Sequence, residues 1–228
     1  DFRTDYLYVA RFIRENFTDQ AAPVACFTAT AKPDVVDDVL DHFREQLGVE
    51  LQRFLGGHER DNLEHVVVPV SNAEKGQHID EILARELRHG GAGIVFCSKR
   101  GNAEIWAEQL ARSGRRCRYF HAGLEPGDKQ SVQQAFIDGD LDVIVATNAF
   151  GMGVDKPDIR IVIHADIPGS LENYLQEAGR AGRDGHAAKC VLLFDENDVE
   201  AQFRLSARSQ LNQRDFAALL RAIRRRAQ

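Results

Sequence analysis

Short runs of continuous apolar residues alternate with segments of helical period along most of this chain, and that alternation leaves few folds open. Six runs stand out: Val24 to Phe27, Val66 to Val70, Ile94 to Cys97, Val143 to Ala146, Ile161 to His164 and Val191 to Phe194. Strands that are apolar throughout, rather than at every second residue, suit a sheet covered on both faces. Between them, Tyr6, Val9, Ile13 and Phe17 repeat at helical spacing, as do Val36, Val39, Leu40, Phe43 and Leu47, and then Ile79, Ile82, Leu83 and Leu87. Trp106, Ala107 and Leu110, then Val132, Ala135 and Phe136, continue the pattern. Pro33 stands where a first helical position is expected. The predicted fold is α/β, a parallel sheet flanked by helices.

Periodicity stops around Gly56, Gly57 and the polar stretch His58 to Asn62, before the run that starts at Val66. The expected organisation is a first segment, 1–57, a main domain, 58–200, and a helical extension, 201–228. The first segment holds helix, strand and helix only, too little to bury a sheet by itself, so it reads as the tail of a preceding domain. After Phe194 the pattern turns helical, with Asp195, Glu196 and Asp198 near its start. Near the end Arg221, Arg224, Arg225 and Arg226 form a basic run, either the solvated side of an amphipathic helix or a secondary binding surface.

The stretch Gln176 to Gly185, QEAGRAGRDG, sets two arginines three apart among three glycines. In a helix Gln176, Arg180 and Arg183 fall at i, i+4 and i+7 and project from one face. Each glycine there costs roughly 1 kcal/mol against alanine. Such a cost is reasonable where bare backbone lies close to a neighbouring surface while two guanidinium forks reach an anion, and a phosphate chain is the obvious one. The bland alternative is an ordinary glycine-containing connection with solvated arginines.

Composition narrows the classes. The chain has 228 residues, 43% of them hydrophobic and 28% charged, as in a soluble globular protein. No apolar run approaches the roughly 18 residues of a membrane span, so no membrane partner and a cytoplasmic location are expected. A net charge of −6 argues against a general nucleic-acid-coating protein, and any such contact must be local. Cys26, Cys97, Cys117 and Cys190 have no metal-ligand spacing and read as reduced core residues, so no zinc is expected.

Four motifs, in this order along the chain, carry a family resemblance: FTATA at Phe27 to Ala31, GIVFCSKR at Gly93 to Arg100, VATNAFGMGVDKPDIRIVIH at Val145 to His164, and QEAGRAGRDG. Together they resemble the RecQ-type ATP-dependent DNA helicases of superfamily 2, in register across nearly the whole chain. The resemblance implies that 58–200 is the second RecA-like lobe of the motor and that 1–57 is the end of the first, with ATP bound in the cleft between lobes. The sequence holds no G-x-x-x-x-G-K-[ST] phosphate loop and no DEAH-type carboxylate cluster. ATP and Mg²⁺ are therefore expected to be bound mainly by the missing first lobe, and this chain alone is expected to be inactive. Family members commonly continue into a four-cysteine zinc subdomain, whereas Asp195 to Gln228 contains no cysteine.

The resemblance also implies roles. Arg183 matches the arginine finger on the γ-phosphate and Arg180 its coupling partner, while Gln176 either orients an arginine or the attacking water or is a simple helix-surface glutamine. A finger of this kind is worth about 10³ to 10⁵ in rate. Gly151 and Gly153 allow close backbone approach to a phosphate, and Asp155 matches a position that bonds ribose or the arginine pair, or is a turn residue before Lys156 and Pro157. Ser98, Lys99 and Arg100 follow a strand, at the end where open α/β sheets bind ligands. With His121, Thr147 and Asn148 they are the expected contacts to single-stranded and duplex DNA through its phosphates, with a packing or capping role for His121 and a solvated Lys99 as the alternatives. Thr28, Ala29 and Thr30 match the motif that transmits nucleotide state, and Phe2 and Arg3 the end of an aromatic-rich loop. Competing functions are an RNA-dependent ATPase of the same superfamily and a non-catalytic nucleic-acid-binding module.

Overall fold

The computed structural model describes residues 7–17, 23–27, 33–54, 60–151, 154–195 and 197–198. The chain divides into two compact units, Asp1–Glu59 and Arg60–Gln228.

In the first unit, α1 (Leu7–Asn16) and α2 (Pro33–Leu47) are the described elements, with Ala10 and Phe43 buried. Pro33 opens α2, as its fixed φ and missing N–H favour. The strand expected at Val24 to Phe27 is not one. That segment is irregular, and Phe27 is almost fully exposed. An apolar run becomes a strand only where a neighbour completes its hydrogen-bond ladder, and this unit has no strand among its described residues.

The second unit is built on β1 (Leu63–Pro69), β2 (Ala92–Phe96), β3 (Cys117–Phe120), β4 (Val143–Ala146), β5 (Ile159–His164) and β6 (Ala188–Phe194). They form one sheet in the order β1-β6-β5-β2-β4-β3, with every neighbouring pair parallel. Its helices are α3 (Lys75–Glu86), α4 (Arg100–Arg112), α5 (Pro126–Asp138) and α6 (Leu171–Ala178). The expected α/β fold with a parallel sheet flanked by helices is what forms.

The chain steps one way across the sheet from β1 to β3 and then the other way from β3 to β6. Because parallel crossovers keep one hand, that reversal moves the connections from one face to the other. The core shows it. Ile79, Ile82 and Leu83 of α3 and Ala103, Ala107 and Leu110 of α4 pack with Val143 and Val145 on one face. Val132 and Phe136 of α5 and Ala178 of α6 pack with Ile144 and Ala146 on the other. Adjacent residues of β4 thus feed opposite cores, which is why the run is apolar without interruption.

One crossover has no helix among its described residues, 147–151 and 154–158, and it places Phe150 and Val154 in the core of the second face. Phe150 meets Phe120 and Phe136 edge-on, with centroids 4.9 and 5.9 Å apart.

Candidate functional site

The arginine motif does not continue a helix. α6 starts at Ser170, whose hydroxyl accepts the Asn173 N–H at 3.1 Å, and it ends at Ala178 with Gly179 as its cap. Beyond it the backbone tightens, with Arg180 N–H bonding Glu177 O and Ala181 N–H bonding Ala178 O. Gly182 then turns to φ 55° and Gly185 to 81°. The shared helical face read from i, i+4 and i+7 spacing is therefore corrected, since glycines that reach positive φ turn the chain out of the helix. Gln176 stays on α6, exposed; Arg180 is buried; Arg183 is exposed.

Both arginines nevertheless reach one target, the 147–158 crossover. Arg180 Nη1 donates to Gly151 O at 2.7 Å. Arg183 Nη1 donates to Asp155 Oδ1 at 2.8 Å and to Val154 O at 3.3 Å. Arg180 is 7% exposed and its Nε is buried without a partner. Burial, and then the like charge of Arg183, lower its pKa from the ordinary arginine value. Gly151 owes its lack of a side chain to this packing, because a Cβ there would collide with the guanidinium and stand 2.8 Å from Cζ. Arg180, not a phosphate, takes up the space beside it.

Two residues that sequence reasoning missed hold the turn from behind. Arg60 Nη2 donates to Ala181 O at 2.9 Å and to Gly182 O at 2.8 Å. Asn62 Nδ2 donates to Gly182 O and His186 O, both at 2.8 Å. No local pattern signals a pairing across so much chain; the only hint is that carbonyls past a helix end must find donors somewhere. On the far side Arg160 pairs with Asp184 and holds its carboxyl down at about 2. Another missed pair, His164 Nε2 and Glu177 Oε2 at 3.0 Å, ties the last turn of α6 to β5.

Ser98, Lys99, Arg100, His121, Thr147 and Asn148 all follow carboxyl ends of strands, so the parallel sheet gathers them at one edge. The arginine turn sits at the other, with Gly182 N–H bonded to the carbonyl of Ile159, the first residue of β5. Lys99 stands at the N-cap position of α4 without a side-chain capping bond and Arg100 opens the helix, both exposed. Ser98 donates its N–H and its hydroxyl to Asp166 Oδ2, each at 2.7 Å, so in this conformation both donors are committed. His121 is buried, stacked on Tyr119, with Nε2 2.8 Å from Glu104 Oε1 and Nδ1 unpartnered. Thr147 is buried and its N–H bonds Phe120 O; Asn148 is exposed.

Behind this edge Lys75, 1% exposed, pairs with Asp198 at 2.7 Å and with Asp166 at 3.6 Å. Cys97, Cys117 and Cys190 are buried and their thiols pushed up to about 12 by that burial, but Cys26 is exposed and not a core residue. Among the described residues no group of three or more His, Cys, Asp or Glu is arranged to hold a metal ion, and no helix is long and apolar enough to cross a membrane. Thr28, Ala29, Thr30, Gly153, Phe2, Arg3 and the basic run at 221–226 lie outside the described residues.

Residues 74–185 match the helicase conserved C-terminal domain. Over 98% of its length the chain is 39% identical to a putative ATP-dependent DNA helicase Q1 of Caenorhabditis briggsae, covering 35% of that protein. It is 40% identical over 92% of its length to the ATP-dependent DNA helicase RecQ of Bacillus subtilis strain 168, covering 34% of that protein. It is 37% identical over 98% to a probable ATP-dependent DNA helicase RecS of the same organism, covering 44%. Among solved structures, a DEAD box protein from the hyperthermophile Methanococcus jannaschii superposes with a TM-score of 0.55 at 23% identity, covering 66% of this chain and 40% of that one, which fixes the RecA-like fold.

Proposed function

We propose that this chain, which belongs to the RecQ family of helicases and carries its conserved C-terminal domain, supplies the second lobe of a motor that couples ATP hydrolysis to translocation on DNA and its unwinding. Residues 58–200 are that lobe, 1–57 the end of the first, and 201–228 an extension. The observation that carries the reading is the placement of Arg180 and Arg183, two permanent cations on one tight turn, both aimed at one crossover.

That donor set fits a phosphate chain. Arg180 keeps an unpartnered buried Nε, and Arg183 is held only by an exposed carboxylate and a long bond to a carbonyl, so it can exchange partners at low cost. Bound ATP supplies the reactive phosphoanhydride. Arg183 acts as the arginine finger, Arg180 stiffens the crossover beside it, and Gln176, Gly153 and Asp155 border the nucleotide. Fixed guanidinium groups stabilise charge on the transferred phosphoryl group without reorganising. Magnesium and the phosphate loop belong to the first lobe, so this chain alone hydrolyses no ATP. At the other edge Lys99, Arg100 and Asn148, with Ser98, His121 and Thr147, line a track for single-stranded and duplex DNA, contacting phosphates rather than reading bases. Thr28, Ala29 and Thr30 couple the two events.

The test is ATP hydrolysis by the protein joined to its phosphate-loop lobe, with matched DNA or RNA single strands, for wild type and Arg183→Ala. DNA-selective stimulation lost in the variant is the expected result. Equal stimulation by RNA moves the assignment to an RNA-dependent ATPase, and no stimulation leaves a binding module.

A further inference from the structure

The Gly179–Gly185 turn presents the two arginines, yet almost nothing in its own sequence makes it rigid. Within it the backbone bonds are Ala181 N–H to Ala178 O and Gly185 N–H to Gly182 O, with one tie to the sheet from Gly182 N–H to Ile159 O, and two of its glycines sit at positive φ. Glycines lose more conformational freedom on ordering than other residues, so such a turn is loose unless something outside holds it.

Arg60 and Asn62 do so through the backbone carbonyls of the turn. Arg60 Nη2 bridges the successive carbonyls of Ala181 and Gly182, and Nη1 lies 3.5 Å from Gly179 O. Asn62 spans Gly182 O and His186 O, so its single amide closes the turn across its width. The Asn62 backbone takes part as well, since its carbonyl accepts the Ala188 N–H at the start of β6. A side chain on Gly182 would collide with the Asn62 amide, so the two are fitted to each other. Three carbonyls of the turn that follows α6, Gly179, Ala181 and Gly182, are thereby in reach of charged or amide donors, and a charge-assisted bond is about twice as strong as a neutral one.

We propose that Arg60 and Asn62 are positioning residues for Arg180 and Arg183, a clasp that sets where the guanidinium groups stand before nucleotide arrives. The proposal rests on the nucleotide-directed reading of the arginine pair. Neither clasp residue touches the reacting atoms. Their effect is geometric, and displacement of a catalytic group by about 1 Å is enough to cost up to about a hundredfold in rate.

Two measurements on Arg60→Ala and Asn62→Asp, the second replacing the amide donor with a carboxylate that cannot donate, and on Arg60→Lys as a milder substitution that keeps the charge, test this. The first needs no nucleotide: amide hydrogen exchange of the 228-residue chain. At Gly182 and Gly185 it is expected to quicken at least about tenfold in Arg60→Ala and Asn62→Asp and less in Arg60→Lys, while β2, β4 and β5 stay unchanged. Unchanged exchange at Gly182 in all three variants overturns the clasp. The second is steady-state ATP hydrolysis with the phosphate-loop lobe attached. Here kcat is expected to fall about tenfold to a hundredfold with KM for ATP within about twofold, and Arg60→Ala combined with Arg183→Ala to be no worse than Arg183→Ala alone. Losses that multiply in the double variant, or a normal kcat beside quickened exchange, overturn the positioning role. If Arg183→Ala itself hydrolyses ATP normally, the nucleotide reading of the arginines fails, and exchange alone then decides whether the clasp stands.

Discussion

Arg180 packs against Gly151, donating to the carbonyl of that glycine at 2.7 Å and filling the place where a side chain would project. Gly151→Ala should therefore push the guanidinium off its acceptor and destabilise the second unit by about 1–3 kcal/mol, the usual cost of overpacking a filled site. Gly101→Ala is the control. Position 101 lies in α4 with open space where its side chain would go, so alanine there should be neutral or stabilising by up to about 1 kcal/mol. Thermal unfolding of the two variants separates the outcomes, and equal effects would mean that Arg180 does not occupy the site.

The Arg183–Asp155 pair predicts a different pattern. Asp155 is 78% exposed, so the ion pair contributes under about 1 kcal/mol to folding. If Arg183 is the proposed arginine finger, Asp155→Ala should leave the melting temperature nearly unchanged while lowering kcat of the protein joined to its phosphate-loop lobe severalfold, because Arg183 loses its ion-pair partner. A large drop in melting temperature would show the pair to be structural.

Lys75 is the charged group most deeply enclosed in the sheet's carboxyl edge. Lys75→Met removes the cation and leaves Asp198 and Asp166 without their shared partner, which should cost about 3–5 kcal/mol. Lys75→Met combined with Asp198→Leu should recover much of that loss, since no carboxylate then faces the gap from the tail side. Denaturant midpoints for the single and double variants check this, and a double variant as weak as the single one would refute it.

Thiol chemistry should distinguish the cysteines sharply. Burial pushes Cys97, Cys117 and Cys190 up to about 12, and thiolate, not thiol, is the nucleophile. At pH 8 the folded chain should alkylate rapidly at Cys26 alone, with the other three reacting only on unfolding. Mass spectrometry of peptides after brief iodoacetamide treatment reads this directly.

Asp184 gives an acid-side prediction. Its carboxyl is held at about 2 by the hydrogen bond from Arg160, against 3.8 ordinarily. A carboxyl depressed on folding adds stability that is full above about pH 4 and is lost as pH falls from about 4 toward 2. Asp184→Asn should flatten that part of the stability curve relative to wild type and leave the rest of its shape alone.

Five of the six strands lie where continuous apolar runs mark them; β2 and β4, buried at every residue, had to be apolar throughout, whereas β1 is marked by its run although it is a partly exposed edge strand. β3 escapes that rule. Arg115, Arg116 and Arg118 break up its run, and as an edge strand it keeps only a buried Cys117 and Phe120 at its two ends, around an exposed Arg118 and a half-buried Tyr119. Val24 to Phe27 shows the opposite error, an apolar run without a strand beside it. At the candidate site, the residues at the carboxyl edge were legible because strand ends and the loops after them are local features. The arginine turn was legible in composition but not in shape, since helical spacing says nothing once Gly182 and Gly185 leave the helical region. Arg60, Asn62 and Asp166 were not legible at all, because each acts on residues that only the closed sheet brings near.

The parallel sheet also has a mechanical meaning. Its strands run between the edge that carries the arginine turn and the edge that carries Lys99 and Arg100. A pull applied between those edges is directed along the strands, so it loads the inter-strand hydrogen bonds of β5, β2 and β4 together in shear instead of peeling them one at a time. Bonds that must break at once resist far more than bonds that break in turn. A lobe arranged this way can bear tension along that axis with little stretch, and it is softest to forces that lift β1 or β3 sideways from its border.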